Sequence, residues 1–371
     1  MSYQTGNKNT MDKPLLYAVF VLLAGGLLVL GSASMVLSQK TFGTIGYYFL
    51  RQVISGGIIG LLALFITSKI PYRTWRRLAL PLMIASFLLL AAVFLPHVGI
   101  SAGGAKRWIN LGFLSFQPSE ILKLAFVVYL ASWLDSRRHE VSSVSYGLIP
   151  FSIMIAIVGV FLVMQPDFGT LGIIVITSGL LYFLGGGKVS QIITICLLGV
   201  ILAYMMIHLA PYRAARLTVF LNPQSDPQGI GYHVNQASIA IGSGGFMGLG
   251  FGKSLQKYNY LPEPMGDSIF AIYNEEMGFL GAILMISIFG FIFWRGMLIA
   301  KNAPDTFGRL LAGGISIGFI TQAFINMAAI SGLMPLTGIP LPFISYGGTS
   351  LAITLANMGI LLNISKGARR G

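Results

Sequence analysis

Apolar residues along the chain form long runs, and short polar or glycine- and proline-containing segments separate them. The runs cover about 14–37, 46–69, 76–98, 118–135, 146–164, 168–185, 188–209, 268–298, 306–333 and 341–365. Each is close to the roughly 20 residues that an α-helix needs to cross a bilayer. Backbone groups inside lipid must be hydrogen-bonded within their own segment, which excludes open strands. The pattern therefore predicts an all-α polytopic membrane protein with about ten transmembrane helices.

The composition supports a bilayer environment. Hydrophobic residues make up 55% of the 371 residues and charged residues only 9%, whereas a soluble domain carries about 25% charged residues. We therefore expect a single integral-membrane domain over residues 1–371. The net charge of +13 does not indicate a nucleic-acid partner, because the cations lie between apolar runs rather than in one basic block.

The distribution of Lys and Arg predicts the orientation, because cytoplasmic segments are enriched in these residues. With the tail 1–13 in the cytoplasm, the inner segments hold 15 of the 24 Lys and Arg residues and the outer segments hold eight. Ten crossings return the C-terminus to the cytoplasm, where the basic segment Lys366–Arg370 fits. Both termini are therefore predicted to be cytoplasmic.

The same orientation puts two longer loops, about 99–117 and 210–267, on the extracytoplasmic side. The second loop lies between helices 7 and 8, and connections of this length are usually functional or disordered. Its sequence is not low-complexity. Tyr212–Leu217 predicts an interfacial amphipathic helix, and Tyr232–Ile241 predicts a second helical stretch.

Charged residues beside the fourth run are informative, because a charge at the bilayer centre costs about 3 kcal/mol or more. Pro118 suits the first turn of that helix, which places Glu120 and Lys123 one turn apart on one face. Together with Lys123, the cations Lys106 and Arg107 can gather around an anion such as a pyrophosphate. The alternative, which the sequence leaves open, is a pair that only makes insertion tolerable and two cations that contact lipid headgroups.

Two further acidic residues stand at predicted helix starts. Asp167, in the segment Gln165–Thr170, is placed to cap the sixth helix, although a carboxylate at this depth can also contact substrate or a cation. Asp267 opens the eighth helix, where a carboxylate at the water boundary suits a general base. A helix N-cap is the alternative interpretation of Asp267.

The eighth helix carries more polar residues below Asp267. Spacing of about 100° per residue puts Asn274 on the same face as Asp267, and that face should turn toward the bundle interior. Glu275 and Glu276 lie about 12 Å deeper than Asp267, which favours a structural role for them. Near the last helix, Pro340–Ser350 predicts either irregular backbone that lines a cavity or a close small-residue contact.

In combination, these segments resemble the SEDS family (shape, elongation, division and sporulation), whose members include FtsW, RodA and SpoVE. The resemblance keeps the family's order over nearly the whole chain. The matching stretches are Lys106–Ile109, Phe116–Glu120 with Lys123, Gln165–Thr170, Ser225–Pro227, Gly231–His233 with Gln236, Ala240–Gly245, Leu261–Glu263, Asp267, Glu275–Gly278 and Pro340–Gly348.

The resemblance implies an inverting peptidoglycan glycosyltransferase in the bacterial cytoplasmic membrane. Such proteins polymerise lipid II into β-1,4 glycan strands on the outer face and release undecaprenyl pyrophosphate. By resemblance, Asp267 would deprotonate the 4-hydroxyl of the acceptor sugar. The resemblance also implies a class B penicillin-binding protein, a transpeptidase, as partner, together with other division or elongation proteins. The predicted substrate-binding residues are Lys106, Arg107, Gln117, Ser119, Glu120, Lys123, Asp167, His233, Gln236, Ser243, Asn274 and Ser345.

Some features stay open at this stage. The family's loop usually reads Leu-Pro-Glu-x-His-Thr-Asp-Phe, and here Met265, Gly266 and Ser268 replace the His, Thr and Phe. A divalent cation, Mg²⁺ or Mn²⁺, can hold the pyrophosphate with few protein ligands. The residues at 322–326 and 343–346 are slightly closer to the division type, and elongation and sporulation roles remain open.

Two other functions remain as alternatives. A lipid II flippase would need polar residues that continue toward the cytoplasmic side, whereas the charges here are biased outward apart from Glu275 and Glu276. A scaffold that only activates a transpeptidase would tolerate replacement of Asp267.

Overall fold

A computed structural model describes residues 10–102, 105–110, 112, 115–208, 211–222, 225–226 and 229–368. The predictions that concern residues 1–9, Pro223, Pro227, Arg369 and Arg370 lie outside the described residues. The described chain is predominantly helical, which confirms the predicted fold class.

Each predicted apolar run corresponds to one long helix, and the 210–267 loop adds two shorter helices. In chain order the helices are α1 Lys13–Phe42, α2 Tyr47–Lys69, α3 Tyr72–Ala92, α4 Pro118–Ser136, α5 Val144–Met164, α6 Phe168–Leu184, α7 Val189–His208, α8 Pro211–Leu221, α9 Ile230–Ser243, α10 Ile269–Lys301, α11 Thr306–Ile330 and α12 Gly348–Gly367. By length and composition, seven of the described helices can cross a membrane: α1, α2, α3, α5, α10, α11 and α12. The shorter α6 is also apolar. The total of ten crossings stays a prediction.

Two predicted boundaries were wrong. The third helix spans Tyr72–Ala92 rather than 76–98, and the chain beyond it turns through His97 with a left-handed φ of 66°. The last helix begins at Gly348 rather than at 341. Pro340 and Pro342 lack the N–H groups that a continuous helix needs, and the chain from 341 to 347 forms turns instead.

The loop between α3 and α4 contains a small antiparallel sheet, which the apolar pattern did not predict. Its strands are β1 Gly99–Ala102, β2 Ala105–Asn110 and β3 Ser115–Phe116, in the order β1-β2-β3. Ile109 of β2 is buried and pairs with Phe116 of β3. Strand β2 lies beside the connection between α5 and α6, because Arg107 on β2 donates a hydrogen bond to Gln165 O in that connection.

Small residues let α2 and α12 pack closely. A Cβ added to Gly60 would lie 2.5 Å from Leu355 Cδ1, and one added to Gly359 would lie 2.0 Å from Thr67 Oγ1. Small residues at helix contacts are typical of membrane bundles, where close backbone approach supplies the packing energy. Among the seven candidate spans, α11 is the most enclosed, with 78% of its most apolar 18-residue segment buried.

Helix α10 is broken at Gly278, whose φ of 66° and ψ of −165° suit only glycine. The segment 244–254 lies against the break and replaces the missing helical hydrogen bonds. The N–H of Leu249 donates to Glu275 O at 3.0 Å, that of Gly250 donates to Glu276 O at 2.9 Å, and that of Phe279 donates to Gly245 O at 2.9 Å. The broken helix and the segment 244–254 therefore form one hydrogen-bonded unit.

A buried ion pair fixes this unit to α1. Lys257 Nζ lies 3.0 Å from Glu276 Oε1, and the two side chains are 0% and 2% exposed. Ser32 of α1 donates to Glu276 at 2.6 Å, and Lys257 Nζ also donates to Gly252 O at 2.7 Å. Neighbouring Glu275 accepts from Leu255 N at 3.0 Å. The structural role predicted for Glu275 and Glu276 agrees with these contacts.

Replacement of Lys257 by Met should strongly destabilise the protein, because Glu276 would keep its buried charge without a cation. Removal of one partner of a buried ion pair costs about 3–5 kcal/mol. Thermal unfolding in detergent micelles measures the loss, and the double variant Lys257→Met/Glu276→Gln should recover part of it. Lys253→Met is the matched control, since Lys253 is exposed and should change stability by less than about 0.5 kcal/mol. Equal stability of the two single variants would contradict a structural role for the pair.

Candidate active site

Asp267 lies on the turn that precedes α10, at the end of the bundle where the 210–267 loop meets the helices. Its side chain is half-buried, and Oδ1 is enclosed without a hydrogen-bond partner among the described residues. Burial raises the pKa of Asp267 to about 6, against the opposing effects of local hydrogen bonds and of the positive charge of Arg216. Such a carboxyl group is ionised at pH 7 and remains basic enough to take a proton from a substrate.

The backbone of this turn is held from two directions. Asn326 on α11 donates through Nδ2 to Asp267 O at 2.9 Å and to Ile339 O at 2.7 Å. From the segment that precedes α12, Ser345 Oγ donates to Gly266 O at 2.7 Å. Because both supports reach the main chain, the Asp267 carboxylate itself stays available for chemistry.

His233 on α9 reaches the same turn through Ser268. His233 Nε2 lies 2.6 Å from Ser268 Oγ, and the Ser268 hydroxyl donates to Pro262 O at 2.8 Å. Burial lowers the pKa of His233, Glu263 raises it and Arg216 lowers it, which leaves a neutral ring at pH 7. His233 therefore ties α9 to the Asp267 turn and makes no contact with the carboxylate.

Two more charged residues, Arg216 and Glu263, lie close enough to Asp267 to interact with it electrostatically. Arg216 on α8 donates through Nη1 to Leu336 O at 2.7 Å, which ties the loop to the connection between α11 and α12. Burial raises the pKa of Glu263, and the negative charge of Asp267 raises it further, while His233 lowers it. The 210–267 loop thus brings one cation and a second carboxyl group close to Asp267.

A second cluster surrounds the connection between α5 and α6. Asp167 caps α6 with Oδ1, which accepts from Thr170 N at 3.2 Å, while Oδ2 accepts from Ser119 Oγ at 3.1 Å. The capping interpretation of Asp167 is therefore confirmed. Arg107 donates through Nε to Gln165 O at 3.0 Å and through Nη2 to Pro166 O. Two N–H groups of Arg107 are therefore bonded to the carbonyl groups that follow α5.

The predicted pair on α4 forms and connects the two clusters. Lys123 Nζ lies 2.9 Å from Glu120 Oε1 and also donates to Gln322 Oε1 at 2.6 Å. Gln322 Nε2 in turn donates to Pro340 O at 2.9 Å. Since Gln322 lies one turn before Asn326 on α11, a single helix face supports both the ion pair and the Asp267 turn.

Three of the remaining predicted site residues lie on β2, just before α4 and on α9. Lys106 is exposed on β2. Gln117 precedes α4, and its N–H donates to Thr349 Oγ1 at 3.4 Å. Gln236 is half-buried on α9, about one turn from His233.

Two other predicted residues lie farther along the helices. Ser243 is exposed at the end of α9, and its hydroxyl donates to Ala240 O of the same helix at 2.9 Å. Asn274 is buried on α10, with Oδ1 unpartnered among the described residues. Neither side chain is joined to the Asp267 turn by a hydrogen bond in the described part of the chain.

Sequence reasoning missed the residues that hold the site together. Gln322 and Asn326 are the most informative, because two amides four residues apart on an apolar helix lie on one face and are costly to expose to lipid. Ser268, one of the departures from the family's loop, turns out to be the residue that receives His233. No local pattern marks Arg216 as a neighbour of Asp267.

Comparison with known proteins gives a consistent result. The family FTSW_RODA_SPOVE, described as "Cell cycle protein", matches residues 13–370. Stage V sporulation protein E of Bacillus subtilis strain 168 is 38% identical over 98% of this chain and 100% of its own length. The probable peptidoglycan glycosyltransferase FtsW of Trichlorobacter lovleyi is 40% identical over 96% of this chain and 94% of its own.

Solved structures with the same fold include two cell-wall proteins. One is a chain from a study of structural coordination of polymerization and crosslinking by a peptidoglycan synthase complex, with a TM-score of 0.80, 28% identity, and coverage of 98% of this chain and 99% of that chain. The other is the rod shape determining protein RodA of Thermus thermophilus, with a TM-score of 0.72, 27% identity, and coverage of 99% and 100%.

The raised pKa of Asp267 predicts a stability effect with a defined sign. A carboxyl group whose folded-state pKa is above its unfolded value destabilises the protein once it ionises. Asp267→Asn should therefore stabilise the fold at pH 7 by up to about 3 kcal/mol. This gain should disappear as the pH falls from about 6 to below 4, because the wild-type carboxyl becomes neutral there. Thermal unfolding of both proteins across this pH range measures the difference.

Asp305 supplies a matched control of opposite sign. Burial raises the pKa of Asp305, but hydrogen bonds from Gly308, Tyr72 and Arg73 outweigh burial and lower the pKa overall. Asp305→Asn should therefore lower stability at pH 7, with the loss fading as the pH falls through the acid range. A stabilised Asp305→Asn variant would contradict the lowered pKa of Asp305. An Asp267→Asn variant without a pH-dependent gain in stability would contradict the raised pKa of Asp267.

Proposed function

The chain belongs to the family of cell cycle proteins that includes FtsW, RodA and SpoVE, and from that premise we propose that Asp267 is the general base of its reaction. The protein is a multi-pass membrane peptidoglycan glycosyltransferase of cell division or elongation. Its relatives include a probable peptidoglycan glycosyltransferase FtsW, and its structural neighbours include a chain from a peptidoglycan synthase complex. The observation that carries the assignment of Asp267 is its half-buried carboxylate with an enclosed, unpartnered oxygen on a rigidly held turn.

The chemistry required of Asp267 is one proton transfer. The acceptor offers the 4-hydroxyl of a GlcNAc residue, and Asp267 takes its proton as the oxygen bonds to the anomeric carbon of the donor sugar. The bond from that carbon to the pyrophosphate breaks on the opposite face, and its electron pair leaves with the pyrophosphate. Configuration inverts, and the product is a β-1,4 linkage. A carboxylate with a pKa near 6 matches this task at neutral pH.

The leaving pyrophosphate needs positive charge nearby. Lys106 is exposed on β2, and Arg107 follows it on the same strand above the connection between α5 and α6. We assign contacts with the pyrophosphate to this strand, whereas Lys123 is bonded to Glu120 and Gln322 and supports the site from within. The remaining N–H groups of a guanidinium and an exposed ammonium group are both suited to phosphate oxygens.

A divalent cation, Mg²⁺ or Mn²⁺, would add charge compensation for the same pyrophosphate. Within the described residues, no group of three or more His, Cys, Asp and Glu residues could hold a metal ion. We therefore propose that such an ion is held mainly by pyrophosphate oxygens and water, which Mg²⁺ tolerates well. The chain's own residues still perform the proton transfer.

We propose that the site opens on the extracytoplasmic face and that both termini are cytoplasmic. Asp12 N donates to Ser365 Oγ at 3.0 Å. The start of α1 and the last turns of α12 therefore lie at the same end of the bundle. Near the end of α10, Arg295 pairs with Asp12. Asp267 precedes the start of α10 and therefore lies at the other end of the bundle. The excess of Lys and Arg at the end that holds Asp12 supports a cytoplasmic location for that end.

The partner we propose is a class B penicillin-binding protein that crosslinks the glycan strands. Support comes from the similar chain in a peptidoglycan synthase complex that coordinates polymerization and crosslinking. A polymerase that delivers strands directly to a transpeptidase would keep its product close to the enzyme that uses it.

Polymerisation of labelled lipid II by the purified protein with its cognate transpeptidase tests Asp267. Asp267→Asn keeps the side-chain shape and removes the base, so the rate should fall about 10²- to 10⁴-fold. The wild-type rate should also fall as the pH drops through about 6, because protonated Asp267 cannot accept a proton. Glu140→Gln, which changes an exposed carboxylate at the opposite end, should be unaffected.

Each other outcome of this assay has a clear meaning. Equal activity of Asp267→Asn and wild type would remove Asp267 from the chemistry. No polymerisation by wild type, with the transpeptidase confirmed bound, would favour a flippase or a scaffold instead.

Asn326 should act as a positioning residue for Asp267. Asn326→Leu removes both donors to Asp267 O and Ile339 O, and we expect about a tenfold loss of kcat with a smaller change in KM. Asn363→Leu is the matched control, because Asn363 also makes two bonds to the main chain, at the other end of the bundle: Oδ1 accepts from Tyr72 N, and Nδ2 donates to Ser68 O. Both variants should lose about 1–3 kcal/mol of stability. The same kcat per folded molecule in both would refute a positioning role.

A further inference from the structure

Four aromatic side chains form a contiguous cluster beside the candidate active site. Phe42 ends α1 and stacks on Tyr47 with ring centroids 3.6 Å apart. Tyr47 meets Tyr48 edge-on at 5.5 Å, and Tyr48 meets Tyr346 edge-on at 5.3 Å. The aromatic cluster (Phe42, Tyr47, Tyr48 and Tyr346) therefore combines the end of α1, the start of α2 and the segment before α12.

Hydrogen bonds fix this cluster relative to Asp267. Tyr346 N donates to Met265 O at 2.8 Å, two residues from Asp267. Gln52 of α2 is buried, accepts from Gly347 N at 3.0 Å and donates to Ser345 O at 3.4 Å. The segment 345–347, which includes Tyr346, is thus hydrogen-bonded both to α2 and to the Asp267 turn.

The aromatic cluster is open to its surroundings rather than part of the core. Phe42 is 43% exposed, and the three tyrosines are half-buried. Within the described part of the chain, the tyrosine hydroxyls form no hydrogen bonds with protein groups. Arg51 lies close enough to Tyr346 to interact with it electrostatically. The cluster therefore offers ring surface, hydroxyl groups and a nearby cation at one place.

This combination matches the chemistry of an amino-sugar chain. A β-1,4-linked pyranose ring carries axial C–H groups on its faces, and these favour the electron-rich face of an aromatic ring. Its equatorial hydroxyl and acetamido groups lie around the rim, where tyrosine hydroxyls can donate and accept hydrogen bonds. The absence of protein partners for those hydroxyls leaves them available to such a ligand.

We propose that the aromatic cluster is a subsite for the sugar rings of the glycan strand, adjacent to Asp267. The proposal rests on the proposed function, since a glycan chain must lie near the base for each addition. Aromatic residues also collect at membrane surfaces as an interfacial belt. Residues of an interfacial belt need no hydrogen bond to the Asp267 turn. Tyr346 has such a bond through its backbone N–H, which favours a role at the active site.

Tyr48 is the position that tests the proposal, because its ring contacts both Tyr47 and Tyr346. With the transpeptidase present, Tyr48→Ala should shorten the glycan strands and raise the KM for lipid II about three- to tenfold, the value of one or two aromatic contacts. Tyr48→Phe keeps the ring and removes only the hydroxyl, so its KM should rise by less than that of Tyr48→Ala. Tyr260→Ala is the matched control, since Tyr260 is an exposed tyrosine of the 210–267 loop that lies outside the cluster. Strand length is measured on gels and KM from initial rates.

A binding measurement separates failure of this proposal from failure of the proposed function. Saturation-transfer NMR with a soluble β-1,4-linked GlcNAc tetrasaccharide should detect binding to wild type and Tyr260→Ala and a clear loss in Tyr48→Ala. Tyr47→Ala replaces Tyr48→Ala in both assays should the latter fail to fold. Identical behaviour of the Tyr48 and Tyr260 variants would reduce the cluster to an interfacial belt and overturn the proposal. Wild type that binds the tetrasaccharide but does not polymerise lipid II would instead overturn the proposed function.

Discussion

The constraint on which the rest of this structure depends is that polar groups inside a membrane must find partners within the protein. Water cannot solvate them there, and each unpaired group costs several kcal/mol. Lys257 and Glu276 satisfy one another together with Ser32, and Lys123 is shared between Glu120 and Gln322. These bonds join helices that are distant in sequence. The requirement that makes insertion possible therefore also determines which helices are neighbours.

Irregular backbone occurs where such partners are supplied. Helix α10 breaks at Gly278, and the segment 244–254 takes over the hydrogen bonds that the break leaves open. The last helix starts late, and the turns before it are fixed by Gln52, Asn326 and Ser345. Since these side chains grip main-chain atoms, the chain gains rigid turns without using the carboxylate that needs to react. Regular helices provide the scaffold, and the breaks provide the site.

The site carries a thermodynamic conflict that is typical of catalytic groups. Burial raises the pKa of Asp267 to about 6, and the ionised form needed for proton transfer is the form that burial disfavours. Removal of this charge should stabilise the fold and abolish the chemistry, a trade-off common to active sites. The departure from the family's loop at Ser268 is accommodated locally, because His233 Nε2 is hydrogen-bonded to that hydroxyl and the turn remains anchored to α9.

The sequence alone determined the features that depend on local order. Apolar periodicity predicted the long helices and the two helices of the 210–267 loop, the position of Asp167 before α6 predicted its cap, and spacing of three residues predicted the Glu120–Lys123 pair. Only the tertiary structure decided that Arg107 bonds to carbonyl groups after α5 and that Asn326 supports Asp267. Those contacts join segments tens to hundreds of residues apart, and packing of whole helices, rather than any neighbour in sequence, selects them.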